Sequence, residues 1–196
     1  MFSSRLHRVA PVAMAALFAA AAAVSPANAA QPPAPSAANA CPAEDPGNAV
    51  LIPRGSSAGG YAACSNGSAY AMPCPSGLLW NAAVGVCDYP ANSTAAPAPT
   101  RITATEPARI NSRSGAVTGL TAVVTWGDGQ PLYDAPVRFT TAGGTALCTA
   151  HTDQTGRATC SAGYVANVTP GRFTATYDGT ESLRGSTGQG TILAAG

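Results

Sequence analysis

The sequence predicts an all-β protein, in which a small disulfide-stapled β-hairpin module precedes a β-sandwich. Apolar and polar residues alternate in "LTAVVTW" (120–126) and in "RFTATYDG" (172–179), which is the pattern of half-buried strands. Turn-forming stretches such as "GDGQP" and "DQTG" separate these segments. Beyond the N-terminal region, no stretch keeps a helical period over about ten residues, so strands and turns account for the whole pattern.

The first 29 residues have the three parts of a secretory signal peptide. Arg5 and Arg8 give a positive start, an apolar run follows, and Ala27-Asn28-Ala29 forms a small-residue cleavage site, with the cut expected before Ala30. A single transmembrane anchor is the alternative, but the run is rich in alanine and ends in a cleavage site. Because no later apolar run reaches the ~18 residues that span a bilayer, we expect a secreted, extracellular protein.

Charge excludes several classes of partner. The chain has 196 residues and a formal net charge of +1, and all ten of its basic residues are arginine. Removal of the signal leaves eight arginines against nine acidic residues, a formal charge of −1. Such a balance gives no footprint for nucleic acid or for an anionic membrane. We expect a monomer that meets its partners through apolar and hydrogen-bonding surface.

Two Pro- and Ala-rich segments, 30–40 and 91–100, are predicted to be extended linkers. They bracket a first module, residues 41–90, which contains four cysteines. A second module, residues 101–196, follows the second linker and contains two cysteines. About fifty residues are too few for a self-sufficient core, so the first module needs disulfides, each worth roughly 3 kcal/mol. Because the second linker has no apolar anchor, we expect each module to fold alone.

All six cysteines lie after the signal, and an even count in an exported protein indicates disulfides. A metal site is disfavoured because His151 is the one histidine left after the signal, and we expect no cofactor. Cys148 and Cys160 flank "TAHTDQTGRAT", whose centre can turn the chain. We therefore expect them to be cross-strand partners on neighbouring strands of one hairpin.

The first module resembles the peritrophin-A type of chitin-binding domain (carbohydrate-binding family 14). The resemblance covers about fifty residues and consists of an aromatic shortly before a cysteine, a Cys-x-x-Gly step, and two longer cysteine motifs. These features are Tyr61, Cys64 with Gly67, the run Cys74-Pro75-Ser76-Gly77-Leu78-Leu79-Trp80-Asn81, and the run Cys87-Asp88-Tyr89-Pro90.

The family usually has six cysteines, and this chain departs from that pattern. The second position is Ala58, and the sixth cysteine, expected a few residues after Pro90, is also missing. Because those two are partners in the family, their joint loss leaves no orphan thiol. The resemblance thereby implies the pairs Cys41–Cys64 and Cys74–Cys87.

A protein binds a pyranose by laying a flat aromatic on its C–H face and surrounding it with hydrogen-bonding groups. Burial of about 100 Å² of apolar surface offers around 2.5 kcal/mol per contact, part of which is lost again to ordering. The candidate chitin-binding residues are Tyr61, Tyr70, Trp80, Asn81 and Tyr89. Aromatics also form the core of small disulfide-rich modules, and Trp80 in particular fits a core position as well as a ligand-binding face.

The second module resembles bacterial Ig-like domains, through "GTALCTAHTDQTGRATC" and "GRFTATYDGTESLRGSTGQGT". Catalytic constellations are missing: His151 lies between strand residues, the carboxylates are scattered over turns, and no nucleotide-binding motif occurs. We expect a secreted, non-catalytic protein that binds chitin or chitooligosaccharide. The alternative is a secreted adhesin or effector that acts through protein contacts of the Ig-like module.

Overall fold

The computed structural model describes residues 40–44 and 47–195. The predicted signal peptide and most of the first predicted linker lie outside these residues. Within the described part, the chain is mostly β-strand, as the alternation predicts, and its one helix is very short. No helix of this part is long and apolar enough to cross a membrane.

The first module contains a three-stranded antiparallel sheet, in the order β1–β2–β3, and a separate two-stranded hairpin that leads into the short helix. Asn66 and Gly67 both have positive φ, 48° and 75°, which is the conformation that a tight hairpin turn between β2 and β3 requires. The elements are β1 (Val50–Pro53), β2 (Gly60–Ser65), β3 (Ser68–Pro73), β4 (Leu79–Asn81), β5 (Val86–Asp88) and α1 (Pro90–Ser93).

The second module contains nine strands, β6 (Thr100–Ala104), β7 (Ala108–Ile110), β8 (Ala116–Trp126), β9 (Gln130–Pro131), β10 (Pro136–Thr141), β11 (Ala146–His151), β12 (Arg157–Tyr164), β13 (Gly171–Tyr177) and β14 (Ser186–Ala194). Hydrogen bonds connect seven of them in the order β11–β10–β13–β14–β7–β8–β12, while β6 and β9 pair with β8. The β7–β14 pair is parallel and the other pairs are antiparallel.

The core of the second module follows the alternation seen in the sequence. Leu120, Ala122 and Val124 of β8 are fully buried, and the rings of Phe139 and Phe173 lie with their centroids 5.9 Å apart. Thr121 points to the opposite face of β8 and is buried as well. Its hydroxyl lies 3.4 Å from that of Thr159 on the neighbouring strand, so β8 is covered on both faces at this position.

The bridge between Cys148 and Cys160 forms as expected, but the hairpin prediction for its strands is wrong. The "DQTG" stretch does turn the chain, since Asp153 Oδ1 accepts hydrogen bonds from the backbone N–H groups of Thr155 and Arg157. Beyond the turn, however, β11 pairs with β10 and β12 pairs with β8. The two strands therefore lie at opposite ends of the hydrogen-bonded path, and the disulfide links those ends.

The predicted extended linker, 91–100, is anchored at both ends. It begins in α1, where the buried Ser93 hydroxyl donates to the carbonyl oxygen of Leu79 at 3.1 Å. It ends in β6, after the backbone N–H of Ala98 has donated to the carbonyl oxygen of Ser182 at 2.9 Å. Side-chain and backbone hydrogen bonds thus hold both ends of a segment whose Pro- and Ala-rich composition by itself predicts an extended linker.

The two modules are in direct contact, and their described residues belong to one compact unit. Arg54 donates to the Asp134 carboxylate at 2.6 Å, and the Gly55 N–H donates to the carbonyl oxygen of Tyr133 at 2.8 Å. The buried Tyr177 hydroxyl donates back to the Gly55 carbonyl oxygen. This interface differs from the expectation of two independent modules, because the loop that follows β1 is hydrogen-bonded to the second module.

Candidate functional site

One face of the three-stranded sheet carries large apolar side chains that point into solvent. Tyr70 and Met72, two residues apart on β3, are 57% and 42% exposed. Their cross-strand partners on β2 are Ala63 and Tyr61 respectively. Because side chains two apart on a strand share a face, these four residues form one surface, which we call the β2–β3 face.

The opposite face of the same sheet is covered. Ile52 and Ala62 are buried in a small cluster together with Cys41, and Tyr133 of the second module packs against that cluster. The Cys41–Cys64 bridge closes it, as the resemblance implies. The first module therefore has one face of the sheet in its own small core, while Tyr70 and Met72 on the β2–β3 face remain exposed.

Tyr61 and Trp80 stack on each other. Their ring centroids are 4.9 Å apart and the ring planes differ by 25°, while Tyr61 is half-buried and Trp80 is only 2% exposed. Trp80 was a candidate for the sugar-binding surface, and the structure places it in the interior instead. Its indole fills the space between the hairpin and the sheet, where the backbone N–H of Trp80 also donates to the carbonyl oxygen of Ala58 at 2.7 Å.

The Cys74–Cys87 disulfide holds the β4–β5 hairpin against the three-stranded sheet. The Cys74–Cys87 bridge joins the residue that follows β3 to the middle of β5, with the two Cα atoms 5.7 Å apart. The chain thereby returns to the end of the strand that carries Tyr70 and Met72. Both disulfides of the first module agree with the expected pairing, and the described chain has no free cysteine.

Tyr89 follows β5 directly and is 70% exposed. Its backbone is held by Asp88, whose Oδ1 accepts the Tyr89 N–H at 2.7 Å and the Asn92 side-chain amide at 3.0 Å. The hydrogen bonds from Asn92 and from the Tyr89 backbone lower the pKa of Asp88. The carboxylate is therefore committed to holding the turn into α1, while the tyrosine ring remains free.

Asn81, another candidate from the sequence, has a structural position. It is 9% exposed, its Oδ1 accepts the Ala83 N–H at 3.1 Å, and its side-chain amide lies 3.4 Å from the carbonyl oxygen of Asn92. Because these partners satisfy the amide inside the module, Asn81 is unavailable to a sugar on the surface.

Of the five predicted binding residues, the structure leaves Tyr70 and Tyr89 exposed, Tyr61 half-buried, and Trp80 and Asn81 buried. Met72 was not among the candidates, although its position two residues after Tyr70 was a usable signal. Exposed Val84 and Val86 add further apolar surface on the β4–β5 hairpin. The arrangement offers flat apolar contact area rather than a deep pocket.

The described residues contain no group of three or more His, Cys, Asp or Glu side chains that could hold a metal ion. Asp134 has three side-chain partners: Arg54, Ser56 and His151 all lie within hydrogen-bonding distance of it. Burial by itself raises the pKa of Asp134, but the hydrogen bonds from these three side chains and the charge of Arg54 outweigh it, so the pKa lies below its usual value. This cluster fastens one module to the other.

Residues 41–95 match the family model described as the Chitin binding Peritrophin-A domain. The match begins at the predicted start of the first module and extends past its predicted end at Pro90. A relative, Peritrophin-1 of Anopheles gambiae, is 43% identical over 60 residues, which are 30% of this chain and 39% of that protein. No solved structure matches the chain. The family match supports a chitin-binding role for the first module.

Proposed function

We propose that this protein is a secreted, non-catalytic chitin-binding protein that recognises N-acetylglucosamine polymers through exposed aromatic side chains. One observation carries the proposal: within the segment that matches a chitin-binding domain, Tyr70 and Tyr89 expose more than half of their surface on a disulfide-fixed framework. Large apolar side chains in such positions are typical of an interaction surface.

The binding mechanism follows from the shape and chemistry of the β2–β3 face. Tyr70 and Met72 present apolar surface to the C–H face of a sugar ring, and the Tyr61–Trp80 stack on the same face packs beside them and limits the motion of that surface. Rigidity lowers the entropic cost of binding because few rotamers must be ordered. With two or three aromatic contacts of ~2.5 kcal/mol gross each, we expect micromolar to millimolar affinity for short oligosaccharides.

The N-terminal pattern and the disulfides together support export, since disulfides persist in oxidising compartments. N-terminal sequencing of protein collected outside the cell should begin at Ala30. We further propose that the second module is an Ig-like β-sandwich. Two features support it: β6 and β12 both pair with β8, and β10, β13 and β14 form a second antiparallel run.

The test is retention of the protein on insoluble chitin, beside cellulose, with a matched pair of tyrosine variants. Tyr70→Ala removes an exposed ring from the β2–β3 face, whereas Tyr164→Ala removes a still more exposed ring from the second module. We expect Tyr70→Ala to weaken retention on chitin by about tenfold and Tyr164→Ala to leave it unchanged.

Two results would contradict the proposal. Equal retention of the parent protein on chitin and on cellulose would remove the specificity for N-acetylglucosamine. Loss of retention in Tyr164→Ala but not in Tyr70→Ala would place the binding surface on the second module, as the adhesin alternative requires.

A further inference from the structure

A cleft of about 440 Å³ lies between the two modules. One wall consists of residues 56–59, in the loop before β2, together with Leu79 of β4; the other wall consists of residues 178–181, in the turn after β13. Sites for small molecules typically enclose about 300–1,000 Å³, so the cleft has the size of a ligand site. It lies outside the β2–β3 face and combines residues of both modules.

The walls of the cleft are held in place before any ligand arrives. The Arg54–Asp134 ion pair and the hydrogen bond from Ser56 Oγ to the same carboxylate fix the start of the loop. The buried hydrogen bond from Tyr177 to Gly55 then connects the two walls at their base. A preformed cleft loses less free energy to ordering on binding than a mobile one.

One polar side chain of the cleft, Glu181, is not used by the protein: it makes no ion pair or hydrogen bond with the described residues. Asp178 is occupied, since both of its oxygens accept from Arg138 at 2.9 and 3.0 Å. Thr180 Oγ1 has almost no accessible surface and lies near the Tyr177 hydroxyl, so a ligand in the cleft does not reach it directly. The carboxylate that the cleft offers to a ligand is therefore that of Glu181.

The cleft adjoins the aromatic residues of the first module through the backbone. Gly59 lines it and lies two residues before Tyr61 on the way into β2, and Leu79 lies directly before Trp80 in β4. The hydrogen bond between the Trp80 N–H and the Ala58 carbonyl oxygen ties these two segments together. A sugar chain that reaches past Tyr61 toward the loop therefore meets the cleft.

We infer that this cleft binds a further sugar residue of the same chitin chain, through hydroxyl and amide N–H groups of the sugar that donate to Glu181. An ionised carboxylate offers only acceptors, which suits the donor-rich edge of N-acetylglucosamine. The second module is then part of the binding site rather than a spacer. This inference rests on the proposed function of the first module.

The experiment measures binding of a disaccharide and a hexasaccharide of N-acetylglucosamine by calorimetry, with the chain from Ala30 onward. Glu181→Gln changes the unused group with little change in shape. Glu106→Gln is the matched control, because it removes one negative charge from an exposed ion pair with Arg157, outside the cleft. We expect Glu181→Gln to bind the hexasaccharide about threefold to tenfold more weakly, and the disaccharide as the parent does.

The outcomes separate the two proposals. If the parent protein binds the hexasaccharide and Glu181→Gln binds it equally well, or if the parent gains nothing from the longer sugar, the cleft is not a sugar site and the proposed function stands. If the parent binds neither sugar nor chitin, the proposed function itself fails and the inference fails with it. A loss in Glu106→Gln equal to that in Glu181→Gln would show a general charge effect and would also overturn the inference.

Discussion

The hydroxyl of Tyr177, in the second module, donates a hydrogen bond of 2.8 Å to the carbonyl oxygen of Gly55, in the first. Both groups are buried, and 122 positions of sequence separate them. A buried carbonyl that loses its only donor costs about 1–3 kcal/mol. This contact ties the two modules to each other through buried groups, and its contribution to stability can be measured.

Replacement of Tyr177 by Phe removes the hydroxyl and leaves the ring. We expect the free energy of unfolding to fall by about 1–3 kcal/mol, because the Gly55 carbonyl then lacks a partner. Urea unfolding followed by Trp fluorescence measures this change. Tyr164→Phe, at an exposed position, is the control and should be neutral. Unchanged stability of Tyr177→Phe would mean that the modules do not depend on this contact.

Gly55 is packed so closely that a side chain cannot fit. A Cβ at this position would come within 2.4 Å of the Cβ of Ala135, whereas at Gly59 the nearest atom would be Ser57 Oγ at 3.5 Å. Gly55→Ala should therefore separate the modules locally and lower the melting temperature, and Gly59→Ala should leave it nearly unchanged. Equal melting temperatures of the two variants would show that the interface between the modules accommodates a methyl group at Gly55 without loss of stability.

Asp134 should make the stability of the interface dependent on pH. The pKa of Asp134 is lower in the folded state than in the unfolded state, so the ionised carboxylate stabilises the fold at pH values above about 4. This stabilisation is lost as the pH falls through the pKa that Asp134 has in the folded state. Asp134→Asn should flatten the dependence of the melting temperature on pH below about pH 4, which is below the range in which histidine titrates.

Asparagine is the suitable replacement because Asp134 has a φ of 58°, which asparagine tolerates. The control is Glu106→Gln, which removes a more exposed ion pair that contributes little to stability. A parent protein and an Asp134→Asn variant with the same pH dependence would exclude this role.

The bridge between Cys148 and Cys160 should stabilise the protein without affecting sugar binding. Its removal by the double change to serine should cost roughly 3 kcal/mol in the chain-entropy model and should expose the amides of β11 to hydrogen exchange. Retention on chitin should persist below the lowered melting temperature. The matched change, Cys74→Ser with Cys87→Ser, should abolish retention, because that bridge holds the hairpin on the β2–β3 face. Loss of retention in both variants would contradict this division.

Tyr89→Ala should weaken retention on chitin by ~1–2 kcal/mol, which is about a tenfold loss, and should leave the melting temperature unchanged. The ring is 70% exposed and the backbone of Tyr89, not its side chain, is what Asp88 holds. Tyr89→Phe keeps the ring area and should change retention on chitin very little. Because stacking of a ring on a sugar involves few charges, added salt should also change retention on chitin little. Full retention in a folded Tyr89→Ala protein would remove this residue from the site.

The sequence by itself determined the local features of this protein. Alternation in 120–126 predicted a half-buried strand, and in β8 the residues Leu120, Ala122 and Val124 of one face are buried. The turn between β2 and β3 is equally local, because Asn66 and Gly67, which both have positive φ, are residues that tolerate this conformation. These features depend on a residue and its immediate neighbours in the chain. The cysteine motifs, through their family resemblance, likewise implied the two bridges of the first module.

Only the tertiary structure decided which aromatic rings are exposed and which strands are partners. Trp80 and Tyr89 come from the same cysteine-rich stretch, yet one is 2% and the other 70% exposed, because Tyr61 from a different strand covers the first. The "DQTG" turn could be read locally, but the partners of β11 and β12 could not. The burial of a side chain and the pairing of a strand both depend on segments that are distant in the sequence. The residues around one position do not specify which distant segment will pack there.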